Sequence, residues 1–357
     1  MCLGNEPSLA IMSDPSAYPY PYSQAAELDP RITIPRPPID PNLAPIIDSV
    51  ILPEELDISF LRSLDVGGSP EPILTANPHL THTHHVITSP GGHSIALSIF
   101  APQTSSYALT VLFYIHGGGM ISGDRFSAFA QLIDVVQDIP CIVVSVEYRL
   151  APETPAPGGA EDCYEALVWL STHAKSLGID PAAIVVCGSS GGAPLAASAC
   201  LLARDRKVPI VPIKAQMLLS PMLDDRCNSV SDAQFEYGVP WNGITNRAAW
   251  NHALAGQRGT NTVTMYQAPS RATDLSDLPQ AYIDAAECEV FRDPAVAYAL
   301  DMWRCGSSCE LHVWPGGTHL FDAVENPGVP VVGAAIAAKR SWLSRMLVTV
   351  RADGGTT

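Results

Sequence analysis

The 357-residue sequence predicts an α/β protein with a mostly parallel central sheet and helices on both of its faces. Four stretches predict the sheet: "LTVLFYI", "CIVVSVEY", "AAIVVCG" and "IKAQMLL" are continuous apolar runs, as strands covered on both faces must be. Helical stretches separate them, chiefly "AEDCYEALVWLSTHAKSLG" and "GAPLAASACLLARD". A strand–helix alternation of this kind is the pattern of a parallel sheet in three layers.

Along the chain, residues 1–48 form a proline-rich N-terminal arm, with "SAYPYPYSQ" and "IPRPPIDPNLAP" expected to be extended and disordered at its start. Residues 49–80 are expected to form the N-terminal part of the cap; Ile51 and, within "LPEELDISFLRSLDV", Leu52, Leu56, Phe60, Leu61 and Leu64 fall at mostly helical spacing. The sheet region begins near residue 81, where "SIALSIFAP" alternates as a half-exposed strand does. It runs to residue 221. Residues 222–275 break the alternation and carry Phe235, Tyr237, Trp241 and Trp250, which reads as a cap inserted over the strand ends. Sheet character resumes at "QAYIDAAECEV" and the second part of the core spans residues 276–357.

Composition bounds the chemistry. Apolar residues make up 47% and charged residues 16%, enough apolar material for a large core. The balance of 20 basic against 36 acidic residues, a formal charge of −16, excludes a nucleic-acid or anionic-membrane surface. No basic residue precedes Arg31 and no run reaches the about 18 apolar residues of a membrane span, so a secretory signal and membrane insertion are not expected. The nine cysteines are scattered, several inside apolar runs, which reads as buried thiols and a cytoplasmic location. Cys305 and Cys309 lack a second pair at zinc-finger spacing.

Three motifs carry chemistry. "VVCGSSGGAP" places Ser190 between glycines, directly after an apolar run and before a helical one. Gly-x-Ser-x-Gly alone is weak, arising by chance in roughly one chain of this length in ten. Strand–turn–helix context is what a nucleophile elbow requires. Gly188 and Gly192 permit the tight turn, and the helix start favours negative charge. "YIHGGGMISGD" follows another buried run, and its three glycines free backbone N–H groups to face an oxyanion. Neither a phosphate loop nor a dinucleotide fingerprint fits, since no Gly-Lys-Ser/Thr and no G-x-G-x-x-G helix start is present. "PGGTHLFD" then puts His319 in a glycine-flanked loop after the late strand "CELHVW", and serine upstream with histidine near the C-terminus is the order of the α/β-hydrolases.

The chain resembles the hormone-sensitive-lipase-like group of α/β-hydrolases. The marks are "HGGG" at 116–119, "EYRLAPETPAPGGAED" at 147–162, "GSSGG" at 188–192, "SPMLDDR" at 220–226, "LPQAYIDAAECEVFRD" at 278–293 and "GGTHLFD" at 316–322. The resemblance implies an α/β-hydrolase fold with a helical cap and Ser190, Glu289 and His319 as catalytic residues. Glu289 fills the slot four residues before the Asp of Arg292-Asp293, where the group carries Asp. Asp284 lies within a strand, and Asp293 starts a helix as a cap. Gly118, Gly119 and Gly191 are the implied oxyanion donors. Ser189 stands where the group has Asp, Gly191 where alanine is common, Met120 where an aromatic is frequent and Leu320 where glycine is frequent. Met120, Ser189, Trp241 and Leu320 are therefore the pocket candidates. Arg149, Glu153 and Asp162 are expected to be structural.

The expected reaction is cleavage of a short-chain carboxylic ester through an acyl-enzyme, with no cofactor and no metal. A small-molecule ester is the expected partner, and a homodimer is compatible with the sequence. "HLTHTHH" puts His79, His82, His84 and His85 together, but carboxylate ligands are absent nearby and the stretch reads as an exposed edge strand. The alternatives are a dedicated biosynthetic deacetylase, lactonase or acyltransferase, or a non-catalytic small-molecule receptor on the same fold. A receptor has no need of the complete Ser/Glu/His set.

Overall fold

The computed structural model describes residues 17–64, 68–209, 212–323 and 328–347. Eight strands form one sheet: β1 (Leu80–Thr88), β2 (Ser94–Pro102), β3 (Leu109–Ile115), β4 (Cys141–Glu147), β5 (Ile179–Ser189), β6 (Ala215–Leu219), β7 (Gln280–Cys288) and β8 (Cys309–Thr318). Their spatial order is β1-β2-β4-β3-β5-β6-β7-β8. β2 pairs antiparallel with both β1 and β4, and the remaining pairs are parallel. The chain steps from β3 outward to β4, then back across to β5. The loops leaving β3 and β5 therefore diverge to opposite faces, opening the crevice in which α/β proteins hold ligands.

The helices are α1 (Ala25–Leu28), α2 (Ala44–Asp48), α3 (Ile58–Ser63), α4 (Pro70–Ala76), α5 (Phe129–Val136), α6 (Gly158–His173), α7 (Ala193–Arg206), α8 (Val230–Gln234), α9 (Gly243–Ala253), α10 (Arg292–Arg304) and α11 (Pro330–Met346). Every residue of β3 is buried, because alternate side chains enter two cores. Val111, Phe113 and Ile115 pack with Leu167, Leu195 and Tyr298 of α6, α7 and α10. Leu112 and Tyr114 pack with Phe129 and Leu132 of α5 and with Leu343 of α11. Each such fully buried side chain contributes about 1.5–3 kcal/mol through removal from water.

Several sequence expectations change here. β2 is not half-exposed: Ile95, Leu97, Ser98, Ile99 and Phe100 are all buried, because Ile95, Leu97 and Ile99 enter one core and Phe100 the core on the other face. The helix expected over "LPEELDISFLRSLDV" shrinks to α3; Asp57 caps it by accepting the Phe60 N–H at 2.6 Å. Asp65 and Val66 of that stretch lie outside the described residues, as does the start of the arm. From Tyr18 onward the arm is packed rather than loose. Tyr22, Leu43 and Ile47 join a core cluster with Phe321, Val329 and Val332. The Asp40 N–H also donates to the Gly316 carbonyl at 3.0 Å.

The stretch 222–275 carries α8 and α9. Phe235, Trp241 and Trp250 are buried in the core there, and Tyr237 lies under the Arg31 guanidinium at 4.0 Å. α3 and α9 approach each other where the Leu56 N–H donates to Thr245 Oγ1 at 3.2 Å. Arg62 of α3 donates to the carbonyls of Ile121 and Ala151 and pairs with Glu153 at 2.8 Å. Arg149 and His93 both close on the fully buried Asp162, each at 2.7 Å. These contacts give Arg149, Glu153 and Asp162 the structural part expected of them.

Candidate active site

Ser190 sits between the end of β5 and the start of α7 with φ 53°, a left-handed turn that points its side chain away from both elements. The turn closes only because its neighbours lack Cβ atoms. A Cβ on Gly188 would lie 2.4 Å from the Gly192 carbonyl oxygen, and one on Gly192 would lie 2.2 Å from that of Ile115. Ser190 Oγ is 2.9 Å from His319 Nε2, and His319 Nδ1 is 2.6 Å from Glu289 Oε2. Because a carboxylate only accepts, Nδ1 carries the proton and Nε2 faces the serine hydroxyl as acceptor. Glu289 is fully buried and its other oxygen accepts the Ala286 N–H at 2.6 Å.

The loop after β3 meets this cluster from the adjacent strand. Gly118 and Gly119 have φ of 100° and 62°, and the Gly118 carbonyl accepts from Ile121 and Ser122, folding the loop into a tight turn. A Cβ on Gly191 would lie 2.5 Å from the Gly119 nitrogen, so the two backbone segments touch beside Ser190. Among the described residues, no protein acceptor takes the N–H of Gly118 or Gly119. Behind the loop, Tyr148 donates its hydroxyl to the His116 carbonyl at 2.9 Å, and the two rings stack at 4.2 Å. Burial pushes His116 down to about 4, so its imidazole is neutral and Nδ1–H donates to the Gly117 carbonyl.

The other two acids weighed from the sequence, Asp284 and Asp293, are engaged elsewhere. Asp284 pairs with Lys339 at 3.4 Å, and Lys339 also pairs with Asp322. Burial raises Asp284 to about 6, with the Lys339 charge pulling the other way. Asp293 does not cap its own helix but ties it to α8: its carboxylate accepts the Ser231 N–H at 2.7 Å and pairs with Arg292 at 2.8 Å.

Phe291, which the sequence did not single out, and the pocket candidate Trp241 complete the surroundings. Phe291 meets the His319 ring edge-on at 5.1 Å, and Trp241 stands 6.0 Å from it. Trp241 also crowds the glycine loop, its ring 2.8 Å from where a Gly119 Cβ would be. Phe291 lies between Glu289 and the Arg292-Asp293 pair, so proximity to that motif was its one available signal.

A cavity of about 1010 Å3 opens between α5 and α11. It divides the four pocket candidates: Ser189 and Leu320 line it, whereas Met120 and Trp241 are buried in the core on the side of Gly119. The histidine-rich strand has a different character. His82 packs on Phe100 at 4.7 Å and His85 faces Trp169 at 5.5 Å on the opposite side of β1, so their rings diverge. Among the described residues, no group of three His, Cys, Asp or Glu side chains has the proximity to hold a metal.

The family described as "alpha/beta hydrolase fold" matches residues 112–323. The chain belongs to the α/β-hydrolase family. This α/β-hydrolase is 32% identical to Carboxylesterase NlhH of Mycobacterium tuberculosis over 87% of its own length and 98% of that protein's. It is 31% identical to Esterase LipI of the same organism, covering 78% and 86% of the two chains. Among solved structures, Bacterial Heroin Esterase aligns with a TM-score of 0.77 and 32% identity, over 87% of this chain and 98% of that one. These likenesses place this α/β-hydrolase among the enzymes that cleave ester bonds. Among its described residues no helix is long and apolar enough to cross a membrane.

Proposed function

We propose that this enzyme is a serine carboxylesterase acting on small esters of short acids. Ser190 Oγ attacks the ester carbonyl as His319 Nε2 takes its proton, and Glu289 steadies the imidazolium that forms. The N–H groups of Gly118, Gly119 and Gly191 receive the negative charge that develops on the carbonyl oxygen. His319 then gives its proton to the departing alcohol, and the same base activates the water that frees the acid. These steps need neither a metal nor an organic cofactor. The observation that carries the reading is the continuous run of contacts from Ser190 through His319 to buried Glu289, at 2.9 and 2.6 Å.

Crowding supports short acyl groups. Trp241 and Ala249 press on Gly119, and Met120 is buried beside it, leaving little depth on the oxyanion side. The eight cysteines among the described residues are all free, and this supports a reducing location such as the cytoplasm.

The test is hydrolysis of p-nitrophenyl acetate, butyrate, octanoate and palmitate by the wild type and by Ser190→Ala. Turnover concentrated on acetate and butyrate, and lost in the variant, is expected. Activity that persists in Ser190→Ala would remove the serine mechanism.

A further inference from the structure

We propose that Trp241 is a positioning residue for the reaction: from the cap it sets the register between His319 and Gly119, and so between the proton-transfer group and an oxyanion donor. This rests on the serine-esterase reading of Ser190 and His319. Both partners must act on one carbonyl group, since the base serves the hydroxyl that attacks it and the donor meets the charge that forms on its oxygen. They sit in the loops after β8 and β3, strands with β5, β6 and β7 between them in the sheet. Contacts outside the sheet therefore have to fix their separation.

On the Gly119 side, backbone hydrogen bonds do not supply that contact. The Gly118 carbonyl accepts from Ile121 and Ser122, and the Met120 carbonyl accepts from Ala151 at 2.9 Å. Among the described residues, neither the N–H nor the carbonyl of Gly119 has a backbone partner. Packing holds it instead. From the Ser190 turn, a Cβ on Gly191 would lie 2.5 Å from the Gly119 nitrogen. From the cap, a Cβ on Gly119 would lie 2.8 Å from Trp241 Cη2 and 3.3 Å from both Trp241 Cζ2 and Ala249 Cβ. The indole takes the place that a side chain at residue 119 would have filled.

The same indole reaches the base. Trp241, Phe291 and His319 form a triangle of rings, with centroids 6.0 Å apart for Trp241–His319, 5.1 Å for Phe291–His319 and 6.5 Å for Trp241–Phe291. These are the separations of packed aromatic pairs. The carboxylate of Glu289 thus holds the imidazole at Nδ1, and the aromatic pair holds the ring itself. Trp241 is 7% exposed and its Nε1 has no hydrogen-bond partner among the described residues, so shape rather than a bond holds the indole. Its chain neighbour supplies the anchor. Asn242 donates to the Glu54 carbonyl at 2.6 Å and accepts the Thr245 N–H at 2.9 Å, capping α9.

A double-mutant cycle on p-nitrophenyl acetate hydrolysis tests the assignment. Trp241→Leu, which withdraws the ring from both His319 and Gly119, is expected to lower kcat about thirtyfold with KM within about twofold. Trp241→Phe keeps a shorter ring in the core and should lose about tenfold in kcat, so the test does not depend on the leucine variant folding. In Gly191→Ala the added Cβ already displaces Gly119. There either Trp241 substitution should cost less than about threefold more, because the register is already lost. A side chain that only filled the core or the acyl pocket would act independently of Gly191. Losses that multiply across the cycle, an unchanged kcat for acetate with a rise for p-nitrophenyl octanoate, or a rise in KM alone would overturn the proposal. Acetate hydrolysis surviving Ser190→Ala would instead overturn the serine-esterase reading beneath it.

Discussion

Glu289 braces His319 with one oxygen and anchors itself with the other. Its Oε2 meets His319 Nδ1 at 2.6 Å, while Oε1 accepts the Ala286 N–H, also at 2.6 Å. The longer side chain thus reaches back to its own strand, and the extra methylene is absorbed without loosening the carboxylate. Glu289→Ala is expected to lower kcat about a thousandfold or more, through loss of the oriented, charge-stabilised imidazole. Asp293→Ala should keep its kcat and lose about 1 kcal/mol of stability with the Ser231 contact. Steady-state kinetics and urea unfolding of the two variants separate these outcomes; the reverse kinetic pattern would move the acid to Asp293.

Gly191 is a tighter position than its sequence suggests. Alanine is common there in the group the chain resembles, yet a Cβ would sit 2.5 Å from the Gly119 nitrogen and 2.6 Å from the Met120 nitrogen. Gly191→Ala must push the glycine loop away from Ser190. Loss of an aligned oxyanion donor predicts a fall in kcat on the order of a hundredfold, with KM nearly unchanged. An unchanged kcat would show that the loop has slack.

Lys339, Asp284 and Asp322 form a buried charge cluster beneath the histidine loop. Lys339→Met leaves two carboxylates without their cation and should cost about 3–5 kcal/mol in urea unfolding. The exposed Arg345–Glu310 pair provides the contrast: Arg345→Met should cost less than about 1 kcal/mol. Equal losses would mean that Lys339 contributes no more than a surface ion pair.

His116 links folding to pH. Unfolding frees the imidazole to take a proton near its ordinary pKa of about 6.5, whereas the folded state resists protonation until about pH 4. Between those values the unfolded state holds more protons, so stability falls as the solution is acidified. From pH 7 to pH 5 this amounts to about 2 kcal/mol. His116→Asn should lose that much less than the wild type over the same interval, as read by urea unfolding at the two pH values.

The strands and motif glycines were legible because their causes are local. Two-sided burial writes continuous apolar runs, and Gly188 and Gly192 stand where no Cβ fits. Ser190, Glu289 and His319 were reachable through motif order, and the structure places His319 within hydrogen-bonding distance of both Ser190 and Glu289. Contacts between distant segments were not legible. Leu43 and Phe321 carry no mark of their shared cluster, and nothing in "LPEELDISFLRSLDV" announces that only Ile58–Ser63 would be helical. The cavity was invisible for the same reason, since α5 and α11 lie about two hundred residues apart in the chain and neither was read as a helix from sequence. β2 was misjudged because burial depends on what packs over both of its faces, which comes from segments distant in the sequence.

The docking of the arm has a consequence for how the protein is made. Tyr22, Leu43 and Ile47 seat against Phe321 and Val332, and Asp40 bonds to Gly316, three residues before His319. During synthesis the arm is made long before its seat, which lies far downstream in the chain. The growing chain thus carries unpaired apolar surface until that seat is made, and a nascent arm of this kind is a natural client for chaperones. The histidine loop gains its full support only when these two distant segments meet.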